Sequence, residues 1–98
     1  MALDQKALRD IWQKGYITEE ADPEIWRKDE CGAWIRWGAY GDVESQFGWD
    51  VDPTVPGSDC GGENPSNLRP LQWRNRAAKQ GGRLMCPITA SGKYNVRR

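Results

Sequence analysis

Histidine is absent from this 98-residue sequence. Its absence removes the usual general base near neutral pH and the commonest ligand of transition metals. Long hydrophobic runs are absent too, so no segment is predicted to cross a membrane. The first residues, Met1 to Asp4, carry no basic segment followed by an apolar stretch. We therefore expect no secretory signal and a soluble, cytoplasmic protein.

The sequence contains few cysteines, and their number is odd. The three cysteines, Cys31, Cys60 and Cys86, include no C-x-x-C pair, which argues against a disulfide framework and against a four-cysteine zinc site. Free cysteine behaves as a small buried hydrophobe. The sequence thus predicts reduced thiols that lie partly in the core.

Acidic residues are missing from the last third of the chain. Residues 1–63 hold all 14 acidic side chains and 6 basic ones, a net charge of −8, whereas residues 64–98 hold 8 basic side chains and no acidic one. A basic portion can track phosphates, and an acidic portion can face a basic partner or mimic nucleic acid. The alternative is that the two portions neutralise each other within the fold.

Tryptophan, in contrast, is abundant, with six copies in this short chain. Because each one can bury a large apolar area, we expect most of them to pack in the core. Stacking of an exposed tryptophan on a nucleic-acid base is the alternative.

Two helix signals occur near the beginning of the sequence. Asp4 is a candidate N-cap for a helix that ends at about Lys14. Asp22 followed by Pro23 is typical of a second helix start, which predicts one or two turns that stop near Gly32. The apolar residues on one face of the first helix are Leu8, Ile11 and Trp12.

Strand and loop signals follow. Residues 33–37 favour a strand, residues 38–45 a turn, and residues 47–52 the partner strand. Residues 53–66 contain three prolines and three glycines, which predicts a long functional loop. The elements predicted after this loop are an extended piece, a helix of about two turns and a strand, over residues 68–71, 72–79 and 84–88.

The central part of the sequence carries a motif. Residues 48–71 read GWDVDPTVPGSDCGGENPSNLRPL, and residues 72–79 continue QWRNRAAK. This string resembles the HNH, or ββα-metal, endonuclease family. The family pattern is roughly W-x-V-D-H-I-x-P, a loop that ends in G-G, then S-N-L-R-P-L and a helix with N-x-x-x-K. A looser similarity extends over residues 22–91.

The resemblance implies an α+β fold of the small HNH-like type, with an antiparallel hairpin, a long loop and a short helix, preceded by N-terminal helices. We expect a single domain over residues 1–98. Its parts are an N-terminal helical extension, the HNH-like core and a basic tail, over residues 1–21, 22–91 and 92–98.

The resemblance also implies a metal site. In the family, one oxygen ligand at the end of the first strand and one on the helix hold a divalent metal that activates the scissile phosphate. These positions correspond to Asp52 and Asn75, a set that suits weak Mg²⁺ binding with no cofactor required. The alternative is that both side chains only hold the loop and helix together. Asn67 matches the asparagine that fixes the loop, a structural role.

The catalytic base of the family is replaced. The histidine that removes the proton from the attacking water corresponds to Pro53, which has no ionisable group and no backbone N–H. Thr54, where the family favours an aliphatic residue, cannot abstract a proton unaided at neutral pH. Because loss of general-base assistance costs roughly 10²- to 10⁴-fold in rate, the resemblance implies that the protein is not an enzyme.

Five basic side chains lie on or beside the predicted helix, which contacts the DNA backbone in the resembling nucleases. Such side chains neutralise phosphates without reading sequence. A solvated helix face is the alternative. The five are Arg69, Arg74, Arg76, Lys79 and Arg83.

Three functions follow from these features. The first is an inactive, phage-encoded HNH homologue that binds and blocks a nucleic-acid-targeting defence complex in the bacterial cytoplasm, as an anti-CRISPR inhibitor does. The expected partner is a protein or nucleoprotein complex, with DNA as a second candidate and no membrane. The second function is that of a weak metal-dependent nickase. The third is non-specific DNA binding.

Overall fold

The structure is a computed structural model that describes residues 4–54 and 67–98. Its strands form three two-stranded antiparallel sheets within these ranges, β1 with β2, β3 with β4 and β5 with β6. The fold is α+β, as predicted. No helix of the described ranges is long and apolar enough to span a bilayer. The elements are α1 (Gln5–Trp12), β1 (Trp26–Lys28), β2 (Trp34–Arg36), β3 (Trp49–Pro53), β4 (Leu68–Gln72), α2 (Trp73–Ala77), β5 (Ile88–Ser91) and β6 (Tyr94–Arg97), with a 3-10 turn at Trp37–Ala39.

The first helix lies where the sequence predicts it. The Asp4 carboxylate accepts a hydrogen bond of 2.7 Å from a backbone N–H of the first turn, which is the N-cap arrangement. The helix buries Ile11 and Trp12. Just beyond it, the Lys14 ammonium donates to the Leu68 carbonyl at 2.6 Å. Helix α1 is therefore held against the beginning of β4.

The helix predicted from Asp22 to about Gly32 is wrong. The N–H groups of Ile25 and Trp26 both donate to the Asp22 carbonyl, which makes a single turn, and Trp26 then begins β1. That strand pairs with β2. Pairing within the tertiary structure thus overrides the local capping signal, which is only a weak preference.

The strand pairing predicted between residues 33–37 and 47–52 is also wrong. β2 pairs with β1, whereas β3 pairs with β4, in a register that places Asp52 opposite Arg69. The alternation of apolar residues predicts that these strands exist, but it does not specify their partners. Most of the loop predicted over residues 53–66 lies outside the described residues.

The last part of the chain differs from the prediction as well. Helix α2 follows β4 directly, with the Gln72 side chain as its N-cap, and it ends at Ala77, two residues before the predicted end. The strand predicted over residues 84–88 begins only at Ile88. The segment predicted as a basic tail, residues 92–98, contains β6, which closes a hairpin with β5.

Cys31 and Cys86 form a disulfide bond across a separation of 55 residues. The prediction of reduced thiols is therefore wrong for this pair. Cysteine spacing reveals close pairs such as C-x-x-C, but a bridge between distant positions depends on the fold. Cys60 lies outside the described residues.

The core of the described residues contains two clusters, and each includes a residue of α1. One joins Ile11 with Val51 and Leu68. The other contains Trp12 and Trp49, whose ring centroids lie 5.1 Å apart. The prediction that tryptophans pack in the core is confirmed for the residues buried beyond 95%, which are Trp12, Trp34 and Trp49.

Candidate functional site

The candidate site lies on the unit formed by β3, β4 and α2. The two strands pair over their full lengths, and α2 begins immediately after β4. The helix is attached to β3 by Arg76, whose Nε donates to the Val51 carbonyl at 2.9 Å. The predicted site residues Asp52, Arg69 and Asn75 lie on these two strands and this helix.

Asp52 is buried, and its carboxylate contacts two cations. The Lys79 ammonium lies 2.8 Å from Oδ1 and 3.0 Å from Oδ2. The Arg69 guanidinium donates to Oδ2 through Nε at 3.0 Å and through Nη2 at 2.9 Å. The ammonium thus bridges the two oxygens, which is where a chelated divalent cation would lie. A metal ion at Asp52 has to displace it.

Asn75 is fully buried, and both ends of its amide are engaged. Its Nδ2 donates to Asp29 Oδ2 and to the Ile88 carbonyl, both at 3.0 Å, and its Oδ1 accepts from the Ile88 N–H at 2.9 Å. These bonds hold α2 against β5. The two predicted metal ligands therefore have different partners, and no hydrogen bond or ion pair joins them in the described part of the chain.

Asp29 is a buried carboxylate that the sequence analysis missed. Its Oδ1 accepts from the N–H groups of Cys31 and Ala33, and its Oδ2 accepts from the Gln72 N–H and the Asn75 amide. Burial raises the pKa of Asp29, and the four hydrogen bonds oppose that rise. Local turn chemistry could have revealed the first two bonds, because aspartate often accepts from N–H groups shortly after it. The other two depend on the tertiary fold.

The remaining motif residues lie where β3 ends and β4 begins. Pro53 is the last residue of β3 and lies opposite Leu68. The Asn67 carbonyl accepts from the N–H of Thr54 at 2.8 Å and from its hydroxyl at 3.2 Å. These described contacts of Asn67 involve its backbone. They close the hairpin and engage the Thr54 hydroxyl.

The five predicted phosphate contacts fall into two groups. Three side chains are partly buried and take part in the contacts described above, namely Arg69, Arg76 and Lys79. The other two, Arg74 and Arg83, are exposed. The Arg74 guanidinium carbon lies 5.0 Å from the centre of the Trp73 ring. Only this second group has the exposure that a phosphate contact needs.

The acidic portion of the chain is mostly at the surface. The two portions neutralise each other at Asp52, whose partners both come from the basic portion. Asp29 is the other buried acid among the described residues. Nine of the described acidic residues are exposed, namely Asp4, Asp10, Glu19, Glu20, Asp22, Glu24, Glu30, Asp42 and Glu44.

No protein-family model, curated protein or solved structure matches this chain. The resemblance to HNH endonucleases stays a prediction that rests on the sequence motif. Across residues 4–54 and 67–98, no group of three or more acidic or cysteine side chains is arranged to hold a metal ion.

Proposed function

We propose that this protein is a pseudo-nuclease, a ββα-type scaffold that acts by binding and does not cut nucleic acid. The observation that carries the proposal is Pro53 at the position of the family's base, directly after Asp52, whose carboxylate oxygens lie 2.8 and 3.0 Å from the Lys79 ammonium. A metal-dependent nuclease needs this carboxylate open to a cation and a base next to it that activates water. Here the cation is an internal ammonium, and the next residue is Pro53.

The partner that we propose is a host nucleic-acid-targeting complex, of the kind that a phage-encoded anti-CRISPR protein blocks. The support is electrostatic. Nine exposed acidic side chains belong to the described residues of the first portion of the chain, and exposed carboxylates can pair with the basic groups of a channel built to hold nucleic acid. Non-specific DNA binding is the second candidate, and the exposed Arg74 and Arg83 favour it.

The first test is a nicking assay on supercoiled plasmid. We expect the unaltered protein to leave the plasmid intact in Mg²⁺ or Mn²⁺. The variant Pro53→His with Thr54→Ile restores the family pattern, of which Lys79 is itself a part, so we expect weak metal-dependent nicking. Adding Lys79→Met removes the ammonium and keeps the length of the side chain. We expect this triple variant to nick faster than the double variant, because a metal ion at Asp52 no longer has to displace the ammonium.

Two controls make the assay decisive. Lys79→Arg in the background of Pro53→His with Thr54→Ile keeps a cation at Asp52 and should nick no faster than that double variant. Asp52→Asn should abolish whatever nicking the triple variant gains, and circular dichroism should show that each variant is folded. Nicking by the unaltered protein that Asp52→Asn removes would overturn the proposal.

The second test measures binding to effector complexes. The protein is mixed with purified CRISPR effectors, and co-elution and loss of target-DNA binding are recorded. For an effector that binds, replacing Glu30, Asp42 and Glu44 by their amides should slow association severalfold and weaken its dependence on salt, because exposed charges act mainly on the association rate. Arg74→Gln with Arg83→Gln is the matched control and should leave this binding unchanged.

The opposite result, in which DNA and no effector complex binds the protein, would favour non-specific DNA binding. If no effector binds, while DNA retains the protein in a salt-sensitive manner that Arg74→Gln with Arg83→Gln removes, the protein is a DNA-binding protein. That result would overturn the proposed partner and leave the conclusion from the nicking assay in place.

A further inference from the structure

A cavity of about 670 Å³ lies between the turn that precedes β1 and the turn that joins β5 to β6. None of the described residues that line it belongs to β3, β4 or α2, so it is separate from the candidate site at Asp52. Its volume falls within the range of ordinary ligand pockets, about 300–1,000 Å³. The residues that line it are Glu20, Ala21, Asp22, Ile25, Trp26, Trp34, Gly92 and Lys93.

Two tryptophans form the aromatic wall of this cavity. The rings of Trp26 and Trp34 meet edge to face, with centroids 6.2 Å apart. Trp34 is fixed, because its Nε1 donates to the Gly92 carbonyl at 2.7 Å and its backbone pairs with the side-chain amide of Asn95. Ile25 adds an exposed apolar surface. The wall is therefore apolar and largely preformed.

Two carboxylates lie at the edge of the same cavity. Oδ1 of Asp22 accepts from the Glu24 N–H at 2.9 Å, which orients this carboxylate. Glu20 is exposed. Among the described lining residues Lys93 is the one cation, so the lining holds two carboxylates and one ammonium.

Trp34 already attracts a cation from within the protein. The Lys28 ammonium lies 4.8 Å from the centre of the Trp34 ring. This distance is within the range of cation–π contacts, in which tryptophan is the most favourable partner. Because Trp34 is buried and Lys28 already lies over its ring, the half-buried Trp26 is the aromatic surface that the cavity offers to a second cation, beside the two carboxylates.

We propose that this cavity binds an arginine side chain of a partner protein, together with an apolar residue next to it. A guanidinium is planar and weakly hydrated, stacks on aromatic rings and pairs with carboxylates, whereas an ammonium keeps more of its hydration. The methylene stem of arginine suits the apolar wall. Nucleic acid is a poor occupant, because its phosphates would meet Glu20 and Asp22. The inference does not depend on the proposed function.

The test is a nuclear magnetic resonance titration of the isotope-labelled protein with the peptide acetyl-Leu-Arg-Leu-amide. We expect shifts of the indole N–H signals of Trp26 and Trp34 and of the amides of residues 20–26 and 92–93. The same peptide with citrulline, the neutral counterpart of arginine, should bind at least about tenfold more weakly, and the lysine peptide should lie between the two.

Variants that each remove one negative charge then locate the contact with the arginine peptide. Glu20→Gln and Asp22→Asn should each lower the affinity for the arginine peptide by roughly three- to fivefold, as expected for an exposed ion pair. Asparagine at position 22 can still accept the Glu24 N–H. Glu19→Gln is the matched control, because it removes the same charge one residue away from the cavity lining. We expect it to change the affinity less than twofold.

Three results would overturn the inference. The first is equal affinity for the arginine and citrulline peptides, which would make the cavity simply apolar. The second is a loss of affinity in Glu19→Gln as large as that in Glu20→Gln, which would indicate a general electrostatic attraction and no specific contact. The third is the absence of shifts at Trp26 and Trp34. None of these results bears on the nicking assay, so the two proposals can fail separately.

Discussion

Replacing Cys31 and Cys86 together by alanine is expected to lower the free energy of unfolding by about 4 kcal/mol. The bridge spans a separation of 55 residues, and a cross-link that closes a loop of this length restricts the unfolded chain by about that amount. Alanine keeps both positions apolar, so the change reports mainly the lost cross-link. In a domain of this size the melting temperature should fall by roughly 15–30 °C. Urea denaturation and thermal melts measure both quantities.

The matched control is Cys60→Ala, which keeps the pair intact. A reductant should destabilise this variant as much as it destabilises the unaltered protein, and it should have no effect on the variant that lacks Cys31 and Cys86. Peptide mapping without reduction should recover the two cysteines in one linked fragment. A linked fragment that contains Cys60, or equal sensitivity of both variants to reductant, would contradict the assignment.

The disulfide also bears on the expected cytoplasmic location. Disulfides persist in oxidising compartments and are rare in the cytosol, where thiols are kept reduced. In the bacterial cytoplasm the bridge between Cys31 and Cys86 would be open, and the fold would lose the stability that the bridge contributes. The cytoplasmic location stays a prediction, and the bridge does not support it.

The parts of the fold that sequence predicts well are those with local causes. Helix α1 has its N-cap at Asp4 and its apolar face at Ile11 and Trp12, all within three turns of chain. The succession of β4 and α2 is likewise encoded in adjacent residues, with Gln72 as the junction. Such signals need no knowledge of distant segments, because a cap or a helix face involves only neighbouring residues.

The parts that sequence does not predict depend on distant partners. The capping signal at Asp22 is genuine, but the turn there leads into a strand because β2 is available to pair with it. The Asp29 carboxylate receives two of its four hydrogen bonds from Gln72 and Asn75, which follow it by 43 and 46 positions in the sequence. Neither composition nor spacing reveals contacts of this range.

The candidate site combines local signals, which the sequence shows, with distant contacts, which it does not. The motif identifies Asp52, Arg69 and Lys79 as important residues, but it assigns them to a metal ion and to phosphate. The fold instead pairs them with one another, because Lys79, just beyond α2, reaches back to β3. Residue identity and spacing therefore indicate which side chains belong to the motif, while their contacts depend on the geometry of the hairpin and helix.

Asp29→Asn is expected to lower the free energy of unfolding by about 3 kcal/mol, although it changes only one atom. The Oδ1 position would keep its two backbone donors, but the new amide group would face the Gln72 N–H and the Asn75 amide, both of which are donors. Two hydrogen bonds to a charged acceptor would be lost, at roughly 1.5–3 kcal/mol each. Relief of the buried charge offsets part of this loss. Chemical denaturation followed by tryptophan fluorescence measures the difference.

Two further variants distinguish this network from a general effect of removing an aspartate. Asp42 is exposed and accepts one backbone hydrogen bond, from the Glu44 N–H at 3.0 Å, so Asp42→Asn should change the stability by less than about 0.5 kcal/mol. Combining Asp29→Asn with Asn75→Asp restores one donor–acceptor pair between the two side chains, but it leaves the Gln72 N–H and the Ile88 carbonyl without partners. The double variant should therefore be more stable than the sum of the single changes predicts and less stable than the unaltered protein. Strict additivity would mean that Asp29 and Asn75 do not act as one network, and that α2 is held against β5 by other contacts.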